Sequence, residues 1–234
     1  MRTHRNKNVR AHAFKLRAGI RGAVMSKLLH ISASPRGPKS ESLAVADTFL
    51  DTVREVNPEL PVEHYDLWDG TLPAFGPDAA AAKMAVFAGE EPQGAAADAW
   101  NAAIDTFRRF DAADRYLFSV PMWNGGVPYI LKQFIDVISQ PGLVFGFDPE
   151  RGYSGLLRGK RAAVVYTSAV YGPGRGPAFG SDFQAPYLED WLRWAGIREI
   201  SSIHFRPNLA TADAEAGRRE AHARAREEAK RFIA

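Results

Sequence analysis

SVPMWNGGVPYILKQFIDVI, residues 119–138, decides how this chain folds. The apolar run Tyr116-Leu117-Phe118-Ser119-Val120 leads into it and breaks at Pro121, which has no N–H for a sheet ladder and so suits a strand's end. Trp123-Asn124-Gly125-Gly126 predicts a loop whose two glycines let another group approach the backbone closely. Pro128 stands where a helix tolerates it, in the first turn. Ile130, Leu131, Phe134, Ile135 and Ile138 then recur at helical spacing. A strand thus feeds a glycine loop whose amides face outward just before a helix begins. In an open α/β sheet that edge is where a flat cofactor binds.

The same alternation extends in both directions. Lys27 to Ser32 reads as a short buried strand, and Leu43, Val45, Ala46, Phe49, Leu50 and Val53 form the apolar stripe of a helix stopped by Asn57-Pro58. Residues 62–67 alternate as a second strand, and 68–76 are loop. Residues 78–112 are Ala-rich and helical, broken near 89–94, before the strand at 116–120 and the helix at 128–140. Residues 141–160 read as a connection with five glycines and aromatics at Phe145, Phe147 and Tyr153. A strand at 162–167, a helix through Tyr187–Trp194, a strand at 198–205 and a polar helix at 212–233 complete the pattern. Five strand–helix alternations predict an α/β fold: a doubly wound five-stranded parallel sheet in three layers, order 2-1-3-4-5. Right-handed crossovers bring the loops after strands one, three and four to one edge.

With 234 residues, 46% of them hydrophobic, the chain can bury one sizeable core, and 25–234 is read as a single domain. The absence of cysteine excludes disulfides, thiolate metal sites, iron–sulfur clusters and cysteine catalysis. The formal charge of +3 is unevenly placed. Residues 1–24 hold seven Lys or Arg and no acid, leaving 23 basic and 27 acidic residues in the remainder. The folded part is mildly acidic, so no nucleic-acid partner is inferred. The leader 1–24 has the Arg-rich character of a targeting segment without the apolar stretch of a secretory signal, and it also suits an arm that touches polyanions. The reading adopted is a disordered or over-long start, with Met25-Ser26-Lys27 beginning the folded chain. No stretch approaches the ~20 apolar residues of a membrane span, and a cytoplasmic location with no membrane partner is expected.

Three loops carry the candidate chemistry. Ser34, Ser40 and Ser42 bracket the loop into the first helix, where hydroxyls and free amides suit a phosphate; Ser40 alone is equally a helix cap. Neither G-x-G-x-x-G nor G-x-x-x-x-G-K-[ST] is present there. Residues 121–126 offer Met122 and Trp123 as apolar surface and Asn124 as an amide, or simply a tight turn with a buried Trp. Residues 168–176 offer Ser168, Tyr171 and three glycines, or a mobile surface loop. Together they lay out a phosphate pocket beside flat aromatic walls, the arrangement that takes FMN at a sheet's switch point.

From Met25 onward the sequence resembles the FMN-dependent NADH-azoreductase and NAD(P)H:quinone oxidoreductase family, of flavodoxin-like fold. The matching segments are SASPRGPKSES (32–42), PMWNGGVPYILKQFIDVI (121–138), GLVFGF (142–147), GYSGLLRGKRAAVVYTS (152–168) and PYLEDWLRWAGI (186–197). The resemblance implies a homodimer with its active site at the interface, in which FMN takes hydride from NADH or NADPH and passes it to a quinone or azo compound in a ping-pong cycle. It also implies FMN contacts at Ser34, Ser40, Glu41 (through its amide) and Ser42, at Met122, Trp123, Asn124 and Gly125, and at Ser168, Ala169, Val170 and Tyr171. Trp123, Phe145 and Tyr171 are the expected substrate-pocket residues, with the connection 141–153 lining the dimer. Three departures stand out. Gly125 replaces a common aromatic, Trp123 replaces the commoner Tyr, and Ser168-Ala169-Val170-Tyr171 replaces S-R-G-G. No catalytic side chain and no metal ligand is nominated, and His30, His64 and His204 are read as packed or surface residues. The rival readings are a flavodoxin-type electron carrier, an FAD-dependent quinone reductase and a scaffold without flavin.

Overall fold

A computed structural model describes residues 26–234; the leader 1–24 and the proposed start at Met25 lie outside the described residues. The sheet's five parallel strands are β1 (Leu28–Ser32), β2 (Val62–Asp66), β3 (Arg115–Pro121), β6 (Arg161–Thr167) and β7 (Glu199–Phe205). Six helices accompany them among the described residues: α1 (Glu41–Val56), α2 (Pro77–Ala88), α3 (Ala95–Asp111), α4 (Tyr129–Ile138), α5 (Ala185–Ala195) and α6 (Ala214–Ile233).

Strand alternation sorts the two faces. Leu28, Leu117, Ala163 and Val165 point to α1 and α6, where Val45, Phe49, Val53, Ala225 and Phe232 cover them. Leu29, Ile31, Tyr116, Phe118, Val164 and Tyr166 point the other way, to Phe107 and Phe110 of α3, Phe134 of α4 and Leu188 of α5. Each of the buried Val, Leu, Ile and Phe side chains among these contributes about 1.5–3 kcal/mol. The outcome is the three-layer arrangement expected.

The expected strand numbering needs correction. The connection 141–160 folds as an antiparallel hairpin, β4 (Phe145–Asp148) with β5 (Gly152–Gly155), so the parallel sheet runs β2-β1-β3-β6-β7 rather than 2-1-3-4-5. The Asp148 carboxylate accepts from the amides of Glu150 and Arg151 and closes the hairpin's turn. Gly155 lets the hairpin dock: a Cβ there would lie 2.4 Å from the Gly196 nitrogen at the end of α5. The Leu157 N–H donates to the Ala195 carbonyl beside that contact.

Register fixes the working edge. Ser32 lies beside Ser119, and Pro121 beside Thr167, so β1, β3 and β6 end together. Their three following loops share one rim.

Candidate active site

The first loop leaves β1 at Ala33, whose N–H donates to the Ser119 carbonyl at 3.0 Å. A single 3₁₀ turn, Gly37–Lys39, brings the chain to Ser40, whose hydroxyl caps α1 by accepting from the Leu43 amide at 3.3 Å. Ser34, Ser40 and Ser42 are 3%, 4% and 0% exposed, and the Ser40 and Ser42 hydroxyls are 3.0 Å apart. The first ladder bond of α1 is from Ala44 to Ser40, so the amides of Glu41 and Ser42 precede the ladder. The Glu41 carboxylate is engaged by Arg218 of α6, at 3.2 Å from Nε, which neutralises the one acid at this helix start. Hydroxyls and helix amides make a donor set that fits a phosphate, and the pairing of Glu41 with Arg218 removes the nearby repulsion.

The second loop is a two-residue turn. Trp123 and Gly126 exchange N–H to carbonyl bonds at 2.9 Å each, with φ of +48° at Asn124 and +82° at Gly125. Two successive positive φ values define a type I′ turn, which the Asn-Gly dipeptide favours. Gly125 is required by this backbone. The turn leaves Trp123 partly exposed, its ring 5.8 Å from Trp68 and 6.1 Å from Tyr129. Trp68 is anchored by its indole N–H to the Ala33 carbonyl at 3.1 Å, which ties this aromatic group to the first loop. The Met122 N–H donates to the Thr167 carbonyl at 2.7 Å, which fixes the loop to β6.

The third loop is pinned rather than free. The Asn208 N–H donates to the Ser168 carbonyl, and Leu209 and Ala210 both donate to the Ala169 carbonyl. The Arg206 guanidinium lies 5.4 Å from the Tyr171 ring and donates to Asp182 at 2.8 Å. Asp182 in turn accepts from the amides of Gln184 and Ala185, at the foot of α5. Gln184 reaches the Val120 carbonyl at 2.8 Å, and the Phe183 N–H reaches the Gly125 carbonyl at 2.8 Å. The segment 181–184 thereby lies against the Asn-Gly turn.

Beside the second loop opens a cavity of about 800 Å³ lined by Phe75, Trp123, Asn124, Tyr129, Phe183 and Tyr187, among others. Its volume and aromatic lining suit a flat organic molecule. The structure brings together Ser34, Ser40, Glu41 and Ser42, then Met122 to Gly125, then Ser168 to Tyr171, on one rim. Phe145 is a correction: it is 4% exposed and packs 4.8 Å from Trp194 in the core, so it is not on the cavity wall. Tyr171 is held by Arg206 beside the third loop and is likewise not among the wall residues. Phe75, Phe183 and Arg206 lie outside every sequence motif, and Tyr129, within the 121–138 segment, is not singled out by it as a site residue.

His30 is packed, as expected. Its Nε2 lies 2.9 Å from the Ser119 hydroxyl and its Nδ1 3.1 Å from His64. Burial first, and then the neighbouring His64, pull its imidazole down to about 3. His204 falls to about 4 through burial and then Arg206.

Fold and site together define a flavin-binding class of α/β protein. A family model described as flavodoxin-like fold matches residues 26–229. The chain is 48% identical over 193 residues to the FMN-dependent NADH:quinone oxidoreductase of Ruegeria pomeroyi, covering 82% of this chain and 95% of that protein. It is 41% identical over 210 residues to the protein of the same name from Nitratidesulfovibrio vulgaris, covering 89% of this chain and all of the other. The azoreductase crystal structure from Bacillus anthracis superposes with a TM-score of 0.82 at 24% identity, covering 89% of this chain and 100% of that one, a likeness of fold. The chain belongs to the FMN-dependent NADH:quinone oxidoreductase family.

Proposed function

We propose that this protein is an FMN-dependent oxidoreductase that takes hydride from NADH and reduces quinones or azo compounds. The buried Ser34–Ser40–Ser42 loop, tied through Trp68 to the Trp123 ring that lines the cavity, carries the reading, in a chain 48% identical to a protein named for that activity.

Ser34, Ser40, Ser42 and the Glu41 amide would hold the phosphate, and Met122 to Gly125 the flat ring. Ser168 to Tyr171 would close its polar edge. FMN, when bound, supplies the two-electron chemistry that no side chain has. The chain's own contribution is position and charge. The α1 amides favour an anion while Arg218 offsets the Glu41 charge, the Asn-Gly turn presents Trp123 without side-chain bulk at 125, and the Asp182–Arg206 pair keeps the third loop closed over that turn. No side chain has to act as nucleophile or general base.

Donor and acceptor would use the one cavity in turn, which gives ping-pong kinetics. Residues 25–234 act as one domain, and a homodimer supplies the second wall. The exposed Phe147 and Tyr153 of the hairpin, 49% and 60% accessible, support that surface as the seam. No helix among the described residues is long and apolar enough to cross a membrane, and a cytoplasmic location is proposed. An electron carrier of flavodoxin type would have no use for an aromatic cavity of this size. Steady-state oxidation of NADH with menadione, and separately with an azo dye, tests the proposal. Parallel double-reciprocal lines are expected, and no turnover with either acceptor would refute it.

A further inference from the structure

Phe183 is the most exposed of the large apolar side chains lining this cavity, 67% accessible against 61% for Tyr129, on a backbone held on both sides. Asp182 before it is gripped by Arg206, whose side chain is 3% exposed, and Gln184 after it bonds to the Val120 carbonyl. Its own N–H is taken by the Gly125 carbonyl. The ring lies against the Asn-Gly turn: a Cβ built at Gly125 would meet Phe183 Cδ2 at 3.5 Å and the Ser181 carbonyl oxygen at 3.4 Å. Phe183 therefore lines the same space as Trp123, Tyr129 and Tyr187.

We propose that Phe183 determines which acceptors the cavity takes, serving as a fixed aromatic wall that a flat apolar acceptor covers. The inference rests on the reading of this cavity as the acceptor site. An exposed ring gains when another flat ring lies on it, through area removed from water and through offset stacking. Because its backbone is already tied at residues 182, 183 and 184, little ordering has to accompany the contact. A small hydrated anion such as ferricyanide covers no ring and gains nothing from it.

The test compares the FMN-loaded wild type with Phe183→Ala and Phe183→Tyr. In Phe183→Ala the KM for menadione should rise about five- to tenfold, with kcat within about twofold. Phe183→Tyr should stay at the wild-type value, and the KM for ferricyanide should not move in either variant. Menadione binding to the oxidised holoenzyme, followed by quenching of tryptophan fluorescence, should weaken by the same factor. An unchanged menadione KM in Phe183→Ala would overturn the inference, and so would equal rises for menadione and ferricyanide. A wild type that holds FMN but neither binds nor reduces menadione would instead strike the acceptor reading, and Phe183 with it.

Discussion

Arg206 donates to Asp182 at 2.8 Å, joining the end of β7 to the foot of α5 and so closing the third loop onto the second. The side chains are 3% and 16% exposed, so this is a largely desolvated ion pair. Its importance lies in what would follow from losing one partner. A buried guanidinium left without its carboxylate is costly, whereas removing both charges is not.

Asp182→Ala should therefore destabilise the protein by about 3–5 kcal/mol, while the double variant Asp182→Leu with Arg206→Met should recover much of that loss. Urea unfolding of the three proteins is the measurement. A single variant within about 0.5 kcal/mol of wild type, the range of ordinary surface changes, would mean that the pair holds nothing.

The phosphate loop separates stability from cofactor retention. Ser40→Ala removes the α1 cap and should cost about 1 kcal/mol of stability even without FMN. Ser42 has no capping role, so Ser42→Ala should act mainly on the cofactor, weakening FMN binding about tenfold or more through one lost bond to a charged group. Flavin fluorescence titration distinguishes them. Equal FMN affinity in Ser42→Ala and wild type would remove Ser42 from the site.

Gly125 stands where an aromatic is common in the family, and its backbone geometry decides what a substitution there would report. With φ at +82° and the Ser181 carbonyl 3.4 Å from a Cβ, any side chain at 125 strains the turn. Gly125→Ala should cost about 1–2 kcal/mol, and Asn124→Gly, at φ +48°, should be tolerated. Thermal unfolding that ranks the two the other way would contradict the type I′ assignment.

The packed His30 gives an acid dependence. Its folded value of about 3 lies below the ordinary 6.5, so between those limits the unfolded chain binds a proton that the folded chain refuses. The stability this contributes is whole above about pH 6.5 and drains away as the pH falls toward about 3, with a slope of at most about 1.4 kcal/mol per pH unit. His204, at about 4, acts in the same direction. In His30→Gln the loss between pH 6.5 and 4.5 should flatten without vanishing. An unaltered slope in urea unfolding would show that His30 titrates normally.

The layered fold was legible because its signals are local. Pro121 ends a strand, Pro128 opens a helix, and the stripe Ile130 to Ile138 shows which side faces the core. The hairpin was not legible, since Phe145-Gly146-Phe147-Asp148 and Gly152-Tyr153-Ser154-Gly155 have the composition of an aromatic, glycine-rich loop. The dock of Gly155 on Gly196 and the packing of Phe145 and Tyr153 on Trp194 give them a partner. The same ambiguity placed Phe145 on the pocket wall, because an aromatic in such a stretch looks alike whether it meets a ligand or Trp194. The serines and the Asn-Gly turn could be read from short motifs. Phe183 and Arg206 could not, because their roles come from contacts across loops that no spacing rule encodes.

The central claim is that the Ser34–Ser42 cradle and the Trp123 turn hold FMN that NADH can reduce. An absorption spectrum of the purified protein, taken before and after anaerobic addition of NADH, tests it most directly. A flavin band that bleaches on NADH addition and returns when menadione is admitted is the predicted result. A protein that remains colourless after incubation with FMN, or a bound flavin that NADH leaves oxidised, would contradict it.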